Sequence, residues 1–209
     1  MKKTMKAVLM AAVLLAPMVL TAVPMAYVEG QQYKPTAERL ATSDENKVEV
    51  AEMFSYSCPH CFNLEPEVAK WEKTLPENVV FVRVPAIFRD SWLEQARLFY
   101  AAEVTGDLAT LHPLIFDAIH VDKRALNTED QILDFVEEQG IDRENFAKAM
   151  NSFTVKSKVQ KALVMSRTSG ITGVPSMIVN GKYVTSAPMA KGNAQMLDVV
   201  DFLIQQESN

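Results

Sequence analysis

Two short apolar runs, residues 47–56 (KVEVAEMFSY) and residues 78–84 (NVVFVRV), stand about two dozen positions apart. Runs of this length, rich in β-branched and aromatic side chains, predict buried strands. Between them Cys61, Leu64, Val68, Trp71 and Leu75 recur at steps of 3, 4, 3 and 4, which places them on one face of a helix. Pro66 falls inside that helix and predicts a kink. From residue 90 to 169 the pattern is helical almost throughout. Residues 91–104 are periodic and stop at Gly106, residues 108–120 enclose Pro113, and Thr128 with Gln131 forms a capping box opening a helix that ends at Gly140. Asp142 is placed to cap a short helix to Met150, and Thr154 one that runs to Gly170. Strand signals return at residues 176–184 (SMIVNGKYV), where Asn180-Gly181 predicts a two-residue hairpin turn. Finally Met196, Val199, Val200, Leu203 and Ile204 repeat at helical spacing, with Asn193 as the expected cap. A βαβ unit, a helical block and a ββα unit in that order read as an α/β domain interrupted by helices.

The first 26 residues differ in kind. Lys2, Lys3 and Lys6 precede an uncharged run from residue 7 to 26, the pattern of a cleaved secretory signal peptide. The run is about long enough to span a bilayer, so an uncleaved anchor is the alternative; Pro17, Pro24 and the polar sequence that follows favour cleavage. Loss of three lysines would take the net charge from −5 to about −8. That balance argues against nucleic acid as a partner, because phosphate binding needs clustered cations. The remaining length suits one domain of ordinary size, expected to be a monomer, with enough apolar sequence for a core that needs no disulfide.

Both cysteines, Cys58 and Cys61, lie in FSYSCPHCFNLEP, at the turn from the first strand to the first helix. As a staple they would close a four-residue ring worth roughly 2 kcal/mol, a weak reason to carry them. As half of a zinc or copper site they lack partners: the chain holds no other cysteine, and His112 and His120 would have to fold back from the helical block. As a working dithiol they make physical sense. Cys58 would sit at the helix start, where free backbone N–H groups and the positive dipole end favour a thiolate, and Pro59 is tolerated there because its missing N–H has no helical role. His60 either adds a hydrogen bond or positive charge beside that sulfur or is an exposed polar filler. Cys61, on the apolar face, would be more buried and less ionised. Cys58 is then the sulfur attacked and Cys61 the one that reseals the disulfide. A stabilised thiolate favours the reduced form, which makes the disulfide an oxidant. Glu52 stands within the first strand, either as a buried carboxylate able to exchange a proton with Cys61 or as an ordinary edge-strand charge. Val174-Pro175, ahead of the hairpin, marks a strand start or a special turn.

The segment Cys58-Pro59-His60-Cys61 after an apolar strand, Gly173-Val174-Pro175 before SMIVNGKYV, and residues 27–33 (YVEGQQY) together resemble the DsbA family of bacterial periplasmic thiol oxidases. The resemblance spans nearly all of the chain after residue 26. It implies a thioredoxin fold, residues 27–86 and 158–209, interrupted by an inserted helical domain over residues 87–157. It implies a cis Val174-Pro175 bond facing the dithiol, with the Val174 backbone pairing an extended substrate. It makes Glu52 the buried proton-handling carboxylate, with Arg83 near a family lysine that partners it. It implies oxidation of exported proteins by the Cys58–Cys61 disulfide, reoxidation by a membrane quinone-coupled partner of the DsbB type, a periplasmic location, and no metal, flavin or nicotinamide. The rivals are a disulfide reductase or isomerase and a metal-carrying dithiol module.

Overall fold

The computed structural model describes residues 27–208. Among these residues β1 (Lys34–Pro35), β2 (Val48–Phe54), β3 (Val79–Pro85), β4 (Ser176–Val179) and β5 (Tyr183–Ser186) form one sheet in the order β1-β5-β4-β2-β3. β2 lies parallel to β3 and antiparallel to β4, and β5 is antiparallel to β4 and to β1. All seven residues of β2 are buried, as expected of a strand flanked by two others and covered on both faces. The crossover between β2 and β3 is α1 (Pro59–Trp71), which continues across Pro66. A 3-10 turn (Glu72–Thr74) follows, so Leu75 lies beyond the helix while still packing on the same core.

The helical block comprises α2 (Leu93–Thr105), α3 (Leu108–His120), α4 (Glu129–Glu138), α5 (Arg143–Met150) and α6 (Phe153–Thr168). After β5 come a one-turn α7 (Ala187–Ala190) and α8 (Asn193–Glu207). One core joins Val48 and Val50 of β2 to Leu64, Val68 and Trp71 of α1 and to Val199, Val200 and Leu203 of α8. A second joins Ala51, Met53 and Phe54 to the helical block through Leu98, Leu111, Phe116, Ile132 and Phe146. Each such fully buried side chain is worth roughly 1.5–3 kcal/mol of transfer free energy. The helical block is therefore held to the sheet by a shared apolar interior, and Cys61 belongs to it.

Local chemistry shifts some element ends. Thr128 and Asp142 cap α4 and α5 as expected, accepting from the N–H groups of Gln131 and Asn145 at 3.3 and 2.7 Å. α6 starts earlier than Thr154, because Ser152 takes up the Val155 N–H at 3.2 Å. Asn193 is the first helical residue of α8, preceded by Gly192 as cap. A 3-10 turn, Asp90–Trp92, leads into α2. In the hairpin, Asn180 and Gly181 are both left-handed, with φ 51° and 62°, as a type I′ turn requires. Val179 pairs with Tyr183, so Lys182 joins the loop and the connection is three residues rather than two. A Cβ on Gly181 would lie 2.2 Å from the Leu40 carbonyl oxygen. Gly181→Ala is thus expected to lower stability by about 2 kcal/mol or more, read as a lower urea midpoint at unchanged slope.

Candidate active site

The strand β2 delivers the chain to the dithiol, and α1 begins on it. Cys58 is the N-cap of α1 in extended conformation (φ −94°, ψ 114°), Pro59 is the first helical residue, and Cys61 lies at the end of the first turn. The cysteines are unbonded in this structure. Cys58 retains 9% exposure and Cys61 1%, the inequality that the apolar face of the helix dictates. The Cys58 thiol is lowered from 9.0 to about 6. The hydrogen bond from the Cys61 thiol contributes most, burial opposes it, and the backbone N–H groups of Cys61 and His60 and the His60 imidazole add smaller favourable effects. Cys58 makes no side-chain capping hydrogen bond of full geometry among the described residues, so those backbone groups act by their dipoles rather than by a tight bond. Burial, followed by the bond to Cys58, pushes the Cys61 thiol far up. Cys58 is therefore largely a thiolate at neutral pH while Cys61 keeps its proton.

Val174-Pro175 is cis and faces the pair: the Cys58 thiol, when protonated, donates to the Val174 carbonyl at 3.4 Å. The Ser176 hydroxyl donates to the Gly173 carbonyl at 2.8 Å and braces this loop. His60 is exposed and lines a hollow with Val174 and Pro175.

Glu52 is 1% exposed on β2, an inner strand with β3 on one side and β4 on the other, so it is not an edge-strand charge. Its register partner on β3 is Arg83, whose Nε lies 3.5 Å from Glu52 Oε2. Arg83 is shared, reaching Glu65 of α1 at 2.9 Å and Glu72 at 3.0 Å. Arg83 is thus divided among three carboxylates, of which Glu52 alone is fully buried. Burial, reinforced by Glu65 and Glu72 against Arg83, raises Glu52 from 4.5 to about 8. When ionised, Glu52 acts in turn on Cys61, raising its thiol.

The structure adds residues that the sequence pattern did not single out for the site. α3 does fold back, and both of its histidines meet Tyr56. The Tyr56 hydroxyl and His112 Nδ1 are 2.7 Å apart, His120 Nε2 is 2.8 Å from the Tyr56 carbonyl, and His120 stacks on Phe62 at 4.8 Å. Burial lowers the His112 imidazole and favours its neutral form. With the Glu65 carboxylate 3.2 Å from Nε2, the proton belongs on Nε2, and Nδ1 accepts from the Tyr56 hydroxyl. Gln95 of α2 accepts from the Ser57 hydroxyl at 2.8 Å. The helical block thus grips the two residues ahead of Cys58. The available signal was that His112 falls in the apolar stripe of α3 with Leu111, Ile115 and Phe116, and that Glu65 follows Cys61 by one turn. Tyr56→Phe leaves His112 Nδ1 buried without a donor, an expected loss of about 1–3 kcal/mol in urea unfolding. No group of three His, Cys, Asp or Glu side chains suited to a metal occurs among the described residues.

Comparison with known proteins places this geometry. Residues 77–203 match the model of the DSBA-like thioredoxin domain, a match that starts beyond the cysteine pair. The chain is 42% identical over 178 residues to the thiol:disulfide interchange protein DsbA of Azotobacter vinelandii, covering 85% of this chain and 83% of that one. It is 36% identical over 181 residues to that of Pseudomonas aeruginosa, covering 87% and 86%. The crystal structure of Pseudomonas aeruginosa DsbA superposes with a TM-score of 0.83 over 87% of this chain and 94% of that one, and the Xylella fastidiosa oxidoreductase DsbA with 0.81 at 27% identity over 87% and 97%. The chain belongs to the DSBA-like thioredoxin domain family and is a disulfide oxidoreductase whose redox group is its own cysteine pair, carried on a thioredoxin fold with a helical insertion.

Proposed function

We propose that this chain oxidises cysteine pairs of newly exported proteins with its Cys58–Cys61 disulfide, and that a quinone-coupled membrane partner of the DsbB type restores that disulfide. The observation that carries this reading is the split within the dithiol: Cys58 stands at the start of α1 facing the cis Val174-Pro175 bond, and Cys61 is sealed behind it at 1% exposure, an arrangement that lowers the Cys58 thiol and raises that of Cys61. A substrate thiolate attacks Cys58 Sγ, the Cys58–Cys61 bond breaks, and Cys61 leaves as a thiolate. Its burial demands a proton, and Glu52, neutral up to about pH 8, is the carboxyl to supply it. A second substrate thiolate then attacks the substrate sulfur of the mixed disulfide, and Cys58 departs as the stabilised thiolate. The substrate loses two electrons and the dithiol gains them.

In this scheme Pro59 starts the helix without losing a hydrogen bond, His60 adjusts the poise of Cys58, and the Val174 backbone beside Pro175 receives the extended substrate. The DsbA relatives support the thiol:disulfide chemistry, and a periplasmic location follows from the same reading. The signal-peptide pattern lies in residues 1–26, outside the described residues. The test is a single turnover: oxidised protein mixed with a reduced, unfolded protein containing two cysteines. Two thiols should disappear from the substrate and two appear at Cys58 and Cys61. A protein that instead reduces the oxidised substrate under the same conditions, or binds copper(I) or zinc at stoichiometry through both sulfurs, would contradict the proposal.

A further inference from the structure

A hollow of about 520 Å³ opens over Cys58 and Pro59. On one side its wall is Phe88, Arg89 and Trp92, the segment that joins β3 to α2; on the other it is the ridge of residues 172–174. Phe88 is 40% exposed and packs 6.0 Å from Trp92, and the Arg89 guanidinium lies 5.7 Å from the Trp92 ring. Arg89 is exposed and forms no ion pair among the described residues, its neighbour Asp90 included. It is the single Lys, Arg, Asp or Glu lining this hollow, and the adjoining hollow beyond the ridge, lined by His60, Pro175 and Pro188, has none.

The resolving chemistry of the dithiol uses neither the aromatic wall nor this cation. Both nevertheless face the sulfur that a substrate must reach. An extended segment laid against Val174, with its cysteine at Cys58, sends the two adjoining side chains away from Cys58 and those two positions along to the cysteine's own side, because side chains alternate along a strand. A side chain entering the hollow meets aromatic surface backed by an unpaired guanidinium. Charge complementarity then names the occupant, on a chain whose net charge is −5.

We propose that Phe88, Arg89 and Trp92 form a selecting shelf, which favours exported substrates that carry an acidic side chain two positions from the reactive cysteine. The carboxylate pairs with Arg89, and apolar atoms of the same segment lie on Phe88 and Trp92. The inference deepens the proposed oxidase function and rests on it. Rim charges of this kind act on association and are screened by salt.

The experiment uses short two-cysteine peptides, identical except for Glu or Lys two positions before or after the reactive cysteine, tested on each side in turn. Oxidation rates at limiting peptide are compared for the natural protein, Arg89→Glu and Arg89→Ala. At one flank the natural protein should favour the Glu peptide by about threefold, less at high salt; Arg89→Ala should flatten that ratio and Arg89→Glu invert it. Equal ratios in all three proteins at both flanks would overturn the shelf while leaving the oxidase function standing. Failure of the natural protein to oxidise any peptide would overturn both.

Discussion

Cys61→Ser is expected to take substrate onto Cys58 from a disulfide and to hold it. The resealing sulfur normally stands within the same helical turn, and an intramolecular thiol at such a position acts at a very high effective concentration. With no Cys58–Cys61 disulfide to donate, oxidation of substrate thiols should fall by about 10³-fold or more, and the mixed disulfide formed when Cys58 attacks a disulfide-bonded protein should accumulate on a non-reducing gel, because Cys61 is no longer there to displace it. Cys61→Ala separates the second role of this residue. The Cys61 thiol is the largest stabiliser of the Cys58 thiolate, so removing the donor should move Cys58 from about 6 back toward 9.0, whereas the serine hydroxyl can still donate. His60→Ala should move it less, because the His60 contributions are smaller. Ultraviolet thiolate absorbance followed against pH reads all three. A Cys58 that still ionises near 6 in Cys61→Ala would show that the helix start alone holds the thiolate.

Glu52→Gln should change the pH dependence of stability more than its value at acid pH. Glu52 is raised from 4.5 to about 8 in the fold, so the folded state binds its proton more tightly than the unfolded chain does. The associated stability is complete below about pH 4.5, drains away as pH rises, and is fully lost above about pH 8, a difference on the order of several kcal/mol. Gln keeps the shape and removes the titration, and Arg83 retains Glu65 and Glu72. At pH 9 the variant should therefore melt above the natural protein by about 2–4 °C for each kcal/mol regained. Below pH 4.5 the two curves should run together. The same variant loses the carboxyl proposed to protonate Cys61, so release of the mixed disulfide should slow even where the fold is stabler. Parallel melting curves from pH 4 to 9 would mean that Glu52 is ionised throughout.

How much of this was legible in the sequence depended on how local the cause was. The strand-helix-strand order around FSYSCPHCFNLEP is written in period and composition; β2 and β3 fall within about two residues of their expected ends, while α1 stops at Trp71, one turn short of the Leu75 that the pattern included. Caps were legible where one residue had no competitor, as with Thr128 and Asp142, and missed where a better acceptor stood two positions earlier, as with Ser152. The hairpin turn residues were clear, but their register depended on how β4 met β5. β1, only two residues long, exists through its pairing with β5 and has no periodic signal of its own.

The site divided along the same line. The unequal burial of Cys58 and Cys61 was readable because it comes from the helix they begin, whereas the hydrogen bond from Cys61 that does most to lower Cys58 was not. Glu52 could not be resolved from pattern, because buried and edge positions look alike until β4 is seen on its far side. The chain from Glu52 through Arg83 and Glu65 to His112 and Tyr56 joins four elements and the loop after β2. No spacing rule links residues 60 positions apart, and α3 had to be docked before His112 could be recognised as a neighbour of the dithiol.

The central claim is that reduction yields one thiolate and one thiol, and the direct test is the reduction potential measured against glutathione from pH 5 to 9. With Cys58 at about 6, reduction takes up two protons below that pH and one above it. For a two-electron couple the potential should fall by about 60 mV per pH unit below pH 6 and by about 30 mV above, with the break at the Cys58 ionisation. A single two-proton slope continuing to pH 8 or beyond would mean that Cys58 is an ordinary thiol, and would contradict the account.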